Sequence, residues 1–166
     1  PPGPRRTPRA LVLANAQIKA RPVSKRFPKQ MVLGADTVVV FGKTILGKPA
    51  SLREAVAMLE KLSGRTHLVW TGVSLLRQNP PLRKTFAVCS RVTFKKLTSQ
   101  TIRNYFRLVN PLDKAGAYGL QEHGRIVVRH IQGSLTNVIG LPMEKLLKHL
   151  NLLQNPSKNQ KSMLNR

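Results

Sequence analysis

The sequence predicts an α/β fold in which helices alternate with strands around a mostly mixed sheet, and three observations carry that prediction. Helix signals and β-rich runs interleave along the chain instead of segregating into halves. Two long β-rich runs, Thr66 to Leu76 and Thr85 to Phe94, are joined through Asn79-Pro80-Pro81, which reads as an antiparallel hairpin. The length of 166 residues fits one domain, since at roughly 150 residues a chain buries about 70% of its unfolded surface and needs no staple.

Each element has its own local reason. Pro1 to Arg9 holds four prolines and three arginines, a composition that predicts a disordered basic arm. Ala10 to Ala20 consists of strong helix formers without glycine, and Pro22 marks where that helix should stop or bend. Met31 to Leu33 and Val38 to Phe41 read as one buried strand with the polar insert Gly34-Ala35-Asp36-Thr37. Ser51-Leu52-Arg53-Glu54 is a capping box, and Ala55, Met58, Leu59 and Leu62 follow at the spacing of one buried helix face, with Gly64 placed to end it. Thr98 can cap a second helix with the stripe Ile102, Tyr105, Phe106 and Val109, closed by Asn110 and Pro111. A loop rich in small residues runs to Gly119, a strand covers Ile126 to Ile131, and Pro142 opens a last helix carrying Leu146, Leu147 and Leu150.

Composition narrows the function. One cysteine, Cys89, excludes a disulfide scaffold and suits a reducing compartment, and a place in the core as a small hydrophobe is expected for it. No apolar stretch approaches the ~20 residues that span a bilayer, and no leader precedes a cleavage site, so a soluble, cytoplasmic chain without a membrane partner is expected. The 29 Lys plus Arg stand against 6 Asp plus Glu, a formal charge of +23 that attracts polyanions. Aromatics are only 5%, too few for extensive stacking on single strands, and no zinc-finger or RNA-recognition signature accompanies the charge.

Asp36 is the most informative single position, because a carboxylate inside a buried strand is costly unless it has a partner or a task. It can take a proton from water or ligate a hard cation; equally, it reads as a turn aspartate bonding its own backbone. Lys48, between Gly47 and Pro49, is placed either as a phosphate clamp or as a solvated turn lysine. Asp113-Lys114-Ala115-Gly116-Ala117-Tyr118-Gly119 can expose backbone N–H groups to a ligand, though it lacks the spacing of a Walker motif, and Gln121 offers both donor and acceptor to a base edge. The four histidines show no zinc spacing, the serines no nucleophile elbow, and Arg65 after Gly64 reads as a helix-end cation. What remains is hydrolysis by an activated water, with lysines suited to attack on phosphorus.

The pieces resemble Maf proteins, a family of nucleoside triphosphate pyrophosphatases once named for septum formation. Gly34-Ala35-Asp36-Thr37-Val38-Val39, Ile45-Leu46-Gly47-Lys48-Pro49, Leu62-Ser63-Gly64-Arg65-Thr66-His67, Asp113 through Gln121, Ile131-Gln132-Gly133-Ser134 and Asn137-Val138-Ile139-Gly140-Leu141-Pro142 follow in that family's order, over about residues 10–153. The resemblance implies a sheet split into two lobes around a cleft, as in inosine triphosphate pyrophosphatases, often as a homodimer. It implies Asp36 as the catalytic acid and as a ligand of a divalent cation, Mg²⁺ or Mn²⁺. Lys19 and Lys48 are similar to the lysines that face the phosphates, Lys114 joins them, and Thr37 and Gln121 are similar to the positions that select dTTP and UTP. The family's opening strand and Ser-x-Ser-Pro-Arg-Arg turn have no counterpart here beyond the echo Pro4-Arg5-Arg6. The expected organisation is therefore a basic arm at 1–9, a Maf-like domain at 10–153 without that strand and turn, and a polar tail at 154–166. The activity implied is hydrolysis of pyrimidine nucleoside triphosphates to monophosphate and pyrophosphate; an inactive Maf-like fragment that binds nucleotide or nucleic acid through its basic surface is the alternative, and a basic RNA-associated protein a third.

Overall fold

The structure is a computed structural model that describes residues 7–154. Most of the arm expected at 1–9 and the tail expected at 154–166 lie outside the described residues. Of that arm, Pro8 and Arg9 are already helical. Helix α1 runs from Pro8 to Arg26, because Thr7 caps it by accepting from the Ala10 N–H at 3.2 Å and Pro8 occupies a first-turn position where a missing N–H costs nothing. Pro22, expected to stop or bend α1, is carried inside it. Its ring lies on the exposed side, as does Ile18 four residues earlier, so the carbonyl that the proline leaves without a partner is in water.

Five strands form one sheet in the order β2-β1-β3-β4-β5, with β1 at Val32–Phe41, β2 at Thr44–Leu46, β3 at Thr66–Arg77, β4 at Leu82–Phe94 and β5 at Val128–Gln132. The sequence leads to a mixed sheet, and this is corrected: every described ladder is antiparallel. For the two hairpin ladders the physical reason is connection length. Gly42-Lys43 closes the β1–β2 hairpin and residues 78–81 close the β3–β4 hairpin, too short for the crossovers that parallel neighbours require. The expected strand at Ile126–Ile131 divides into a 3-10 turn at Gly124–Ile126 and β5. β2 and the one-turn helix α4, Leu135–Ile139, carry too few residues to show a period and were not anticipated.

Two layers cover the sheet. On one face lie α2 (Leu52–Leu62) and α3 (Ser99–Leu108), whose Leu59, Leu62, Ile102 and Tyr105 pack with Val39, Val69, Val92, Phe94 and Val127 into the main core. Both caps form as the sequence predicts, with Ser51 Oγ accepting from Glu54 N at 3.2 Å and Thr98 Oγ1 from Thr101 N at 3.1 Å. The other face carries α1, which buries Val12, Ala16, Ala20 and Ser24, every fourth residue. Gly34 and Gly72 make that contact close: a Cβ on Gly34 would overlap the carbonyl of Ala16, and one on Gly72 the backbone of Val12. Helix α5, Met143–Gln154, brings Leu146 against Val73, Leu75 and Phe86.

Candidate active site

Asp36 stands in β1 directly opposite Gly72 of β3. It shares the face of β1 that carries Gly34, Val38 and Val40, the face that α1 covers. The close seat of α1 therefore sets which helical side chains reach it. Lys19 Nζ donates to Asp36 Oδ1 at 2.6 Å and to the Ala35 carbonyl at 3.2 Å. Asn15 Nδ2, one turn earlier, donates to Asp36 Oδ2 at 3.0 Å. The carboxylate is 14% exposed, and its two oxygens are held by two donors from one helix face.

Beside it opens a hollow of about 400 Å³, within the usual range for a small-molecule site. Lys19, Asp36, Thr37, Lys48, Lys114 and Gln121 all line it, so the structure brings together every side chain singled out for the site. Its apolar wall is Val39, Val69, Tyr118 and Ile139. Val39, Tyr118 and Ile139 lie in the family-like motifs and Val69 does not, and their shared wall depends on packing between parts of the chain far apart in sequence.

Thr37 Oγ1 lies 2.8 Å from Thr71 Oγ1, and Thr71 Oγ1 donates to the Asn137 carbonyl at 3.0 Å. A hydroxyl has one proton. Thr71 spends its proton on Asn137, so Thr37 donates to Thr71 and turns only acceptor lone pairs toward the hollow. Asn137, fully buried, fixes this end by donating to the Val69 carbonyl and to Ser90 Oγ, both at 3.0 Å. That seats α4, so that Val138, Ile139 and Gly140 border the hollow.

The opposite rim is the loop from Asp113 to Glu122. Gly116 N donates to the Gly47 carbonyl at 3.0 Å, which ties this loop to the residue before Lys48. Tyr105 Oη both donates to the Gly119 carbonyl and accepts from the Gly119 N–H. Tyr118 Oη meets His67 Nε2 at 2.8 Å in a buried pair, and burial pushes the Tyr118 phenol far up and lowers the His67 imidazole to about 4. His67 is thus neutral at physiological pH, a buried prop rather than a ligand. Lys114 is turned into its own loop, donating to the Asn110 carbonyl at 3.2 Å and pairing with Asp113 at 2.8 Å and Glu122 at 3.1 Å. Burial works against its charge, but the two carboxylates outweigh burial and hold its pKa above the ordinary lysine value. Asp113 lies lower than usual because Lys114 bonds it.

Asp36, Asp113 and Glu122, three of the six acids in the chain, line the hollow beside three lysines, so its lining is close to charge-balanced. Among the described residues no three or more of His, Cys, Asp and Glu converge as a metal cage. Sequence reasoning missed Asn15, Thr71, Asn137 and Glu122. Thr71 and Asn137 lie in family-like motifs that gave them no role, and Asn15 had a geometric signal, being one helical turn from Lys19. Arg65 behaves as a helix-end cation, donating to the Lys61 carbonyl at 3.3 Å and lying over the Phe41 ring. Cys89, expected in the core, is half-buried instead, its thiol pushed up first by burial.

Fold and hollow together define an α/β protein with a lysine-lined site suited to a phosphorylated small molecule. The chain belongs to the Maf-like protein family, whose sequence profile matches residues 2–153. A dTTP/UTP pyrophosphatase of Akkermansia muciniphila is 46% identical over 144 residues, a match that covers 87% of this chain and 75% of that protein. Dsignated likewise, a protein of Bacillus cytotoxicus is 44% identical over 144 residues, covering 87% of this chain and 74% of the relative. No helix among the described residues is long and apolar enough to cross a membrane.

Proposed function

We propose that this chain hydrolyses dTTP, UTP and related pyrimidine nucleotides to the monophosphate and pyrophosphate. The observation that carries this reading is the convergence of Asp36, Lys19, Lys48, Thr37 and Gln121 on one hollow, in a chain whose relatives are dTTP/UTP pyrophosphatases. Water attacks the α-phosphorus while Asp36 takes its proton; the bond between the α-phosphorus and the bridging oxygen breaks, and pyrophosphate leaves with the bridging electron pair. A carboxylate has about four lone-pair sites, so the bonds from Lys19 and Asn15 leave Asp36 capacity to accept that proton. Lys48 and Lys19 offset charge that grows on the phosphates. Lys114 braces the rim through Asp113 and Glu122, which supports a positioning part for it in place of a phosphate contact.

Asp36 fits a divalent cation only as one oxygen ligand among phosphate oxygens and waters, the manner in which Mg²⁺ is usually held. Such an ion, Mg²⁺ or Mn²⁺, would supply neutralisation of phosphate charge. Thr37, an acceptor toward the hollow, suits the imide N3–H of thymine and uracil and not the unprotonated N3 of cytosine. Gln121 would complete the base contact from the opposite rim. A cytoplasmic place, a homodimer and a non-specific nucleic-acid contact through the basic surface complete the proposal.

The test is a nucleotide panel with Mg²⁺ or Mn²⁺, read as pyrophosphate released. The expected result is turnover of dTTP and UTP with CTP poorer by about a hundredfold or more, since a site built around one hydrogen bond rejects analogues lacking it. A folded chain that releases no pyrophosphate from any nucleotide would overturn the reading and leave a nucleotide-binding domain.

A further inference from the structure

We infer that Asn15 is the positioning residue of this site, the side chain that keeps Asp36 aimed at the reacting water while Lys19 is drawn to the phosphates. The inference rests on the hydrolytic reading above. Its ground is the geometry of one helix face. Asn15 and Lys19 lie four residues apart, hence one above the other on α1, and reach the two oxygens of the same carboxylate at 3.0 and 2.6 Å. Only the amide NH₂ of Asn15 can face a carboxylate oxygen, so its orientation is dictated by chemistry.

The two donors differ in freedom. Lys19 is 57% exposed and sits at the lip of the hollow, on a flexible stem. An arriving triphosphate brings several negative charges into its reach, and the ammonium divides between them and Asp36. Asn15 is uncharged, half-buried and short, so an arriving phosphate draws it off the carboxylate far less than it draws the charged, exposed Lys19. Its backbone is held because Gly34 and Gly72 leave no room between α1 and the sheet beneath Asp36. Asn15 therefore fixes Asp36 at the moment when Lys19 lets go. In the empty site both bonds exist together, and in the loaded site the amide bond remains.

The experiment compares wild type with Asn15→Leu, nearly isosteric but unable to donate, and Asn15→Asp, isosteric but acceptor-only and like-charged. Turnover of dTTP is measured for each, together with the side-chain amide signals of Asn15 by nuclear magnetic resonance in the free chain. The expected result for Asn15→Leu is a kcat about ten- to a hundredfold lower with KM changed less than about threefold, the range typical of lost outer hydrogen bonds to a reacting group. Asn15→Asp falls at least as far. In wild type one Asn15 amide proton lies downfield, and Asp36→Leu returns it upfield. Gln17→Leu, on the opposite face of α1, keeps the wild-type kcat. A folded Asn15→Leu with wild-type kcat, a loss confined to KM, or an Asn15→Asp as active as wild type would overturn the inference; should Asn15→Leu not fold, Asn15→Asp decides. A wild-type chain without turnover that still shows the downfield amide would sink the hydrolytic reading and leave the Asn15–Asp36 bond standing.

Discussion

Asp36 earns its position in a strand through two donors, and the neutral variant separates its chemical role from its structural one. Asp36→Asn keeps the shape of the side chain, so the fold is expected to persist while pyrophosphate release falls by about 10² to 10⁴-fold, the usual weight of a positioned base. Circular dichroism and a turnover assay on the same sample check it. His67 gives a second prediction at this scale. Its imidazole has its folded pKa lowered from 6.5 to about 4 by burial, so the unfolded chain binds a proton over that interval and the folded chain resists it. Stability from this group is therefore full above about pH 6.5, declines as pH falls through that window, and is gone near pH 4, a loss of about 3 kcal/mol. Denaturant titrations at pH 7 and pH 4.5 should show a smaller difference for His67→Gln, which cannot titrate, than for wild type.

At the scale of elements, the seat of α1 is what builds the site. Gly72→Ala pushes a methyl group into the backbone of Val12, and the helix has to lift. The expected cost is about 1–3 kcal/mol, measured by thermal or denaturant unfolding, with turnover falling as Asn15 and Lys19 leave Asp36. The capped and periodic helices α2 and α3 were legible because their signals are local, as in Ser51 with Glu54 and Thr98 with the Ile102 stripe. The strand through Asp36 was legible as one element for the same reason, since apolar residues flank the insert on both sides. What was not legible depends on distant partners. The reach of α1 past Pro22 needs the solvent side that only packing assigns, and the antiparallel order of the sheet follows from how the hairpins sit beside one another. Asp36, Lys48, Lys114 and Gln121 were legible from local chemistry and Lys19 and Thr37 from motif resemblance, whereas the parts played by Tyr118, Val69 and Asn137 became visible only when β3, α4 and the rim loop met. Lys114 shows the limit of a motif, because the same residue that lines the hollow is occupied by Asp113 and Glu122.

Over the whole molecule the charge is unevenly compensated. No acid occurs between Glu60 and Asp113, a span that includes the entire β3–β4 hairpin and α3. His149 of α5 registers the result, its pKa lowered first by burial and then by Lys84, Lys145 and Lys148 around it. The hollow, by contrast, sets Asp36, Asp113 and Glu122 against its three lysines. Under the proposed function, a nucleotide would be gathered by the long-range potential of the body and handled by a nearly neutral chamber. Ionic strength acts on the first stage far more than on the second, because mobile ions screen fields over a Debye length of roughly 10 Å at 0.1 M. Raising salt from about 20 to about 300 mM should depress kcat/KM by roughly tenfold and leave kcat nearly constant. That outcome would mean that capture and chemistry are tuned by separate sets of charges, with surface lysines far from Asp36 setting how quickly the chamber fills.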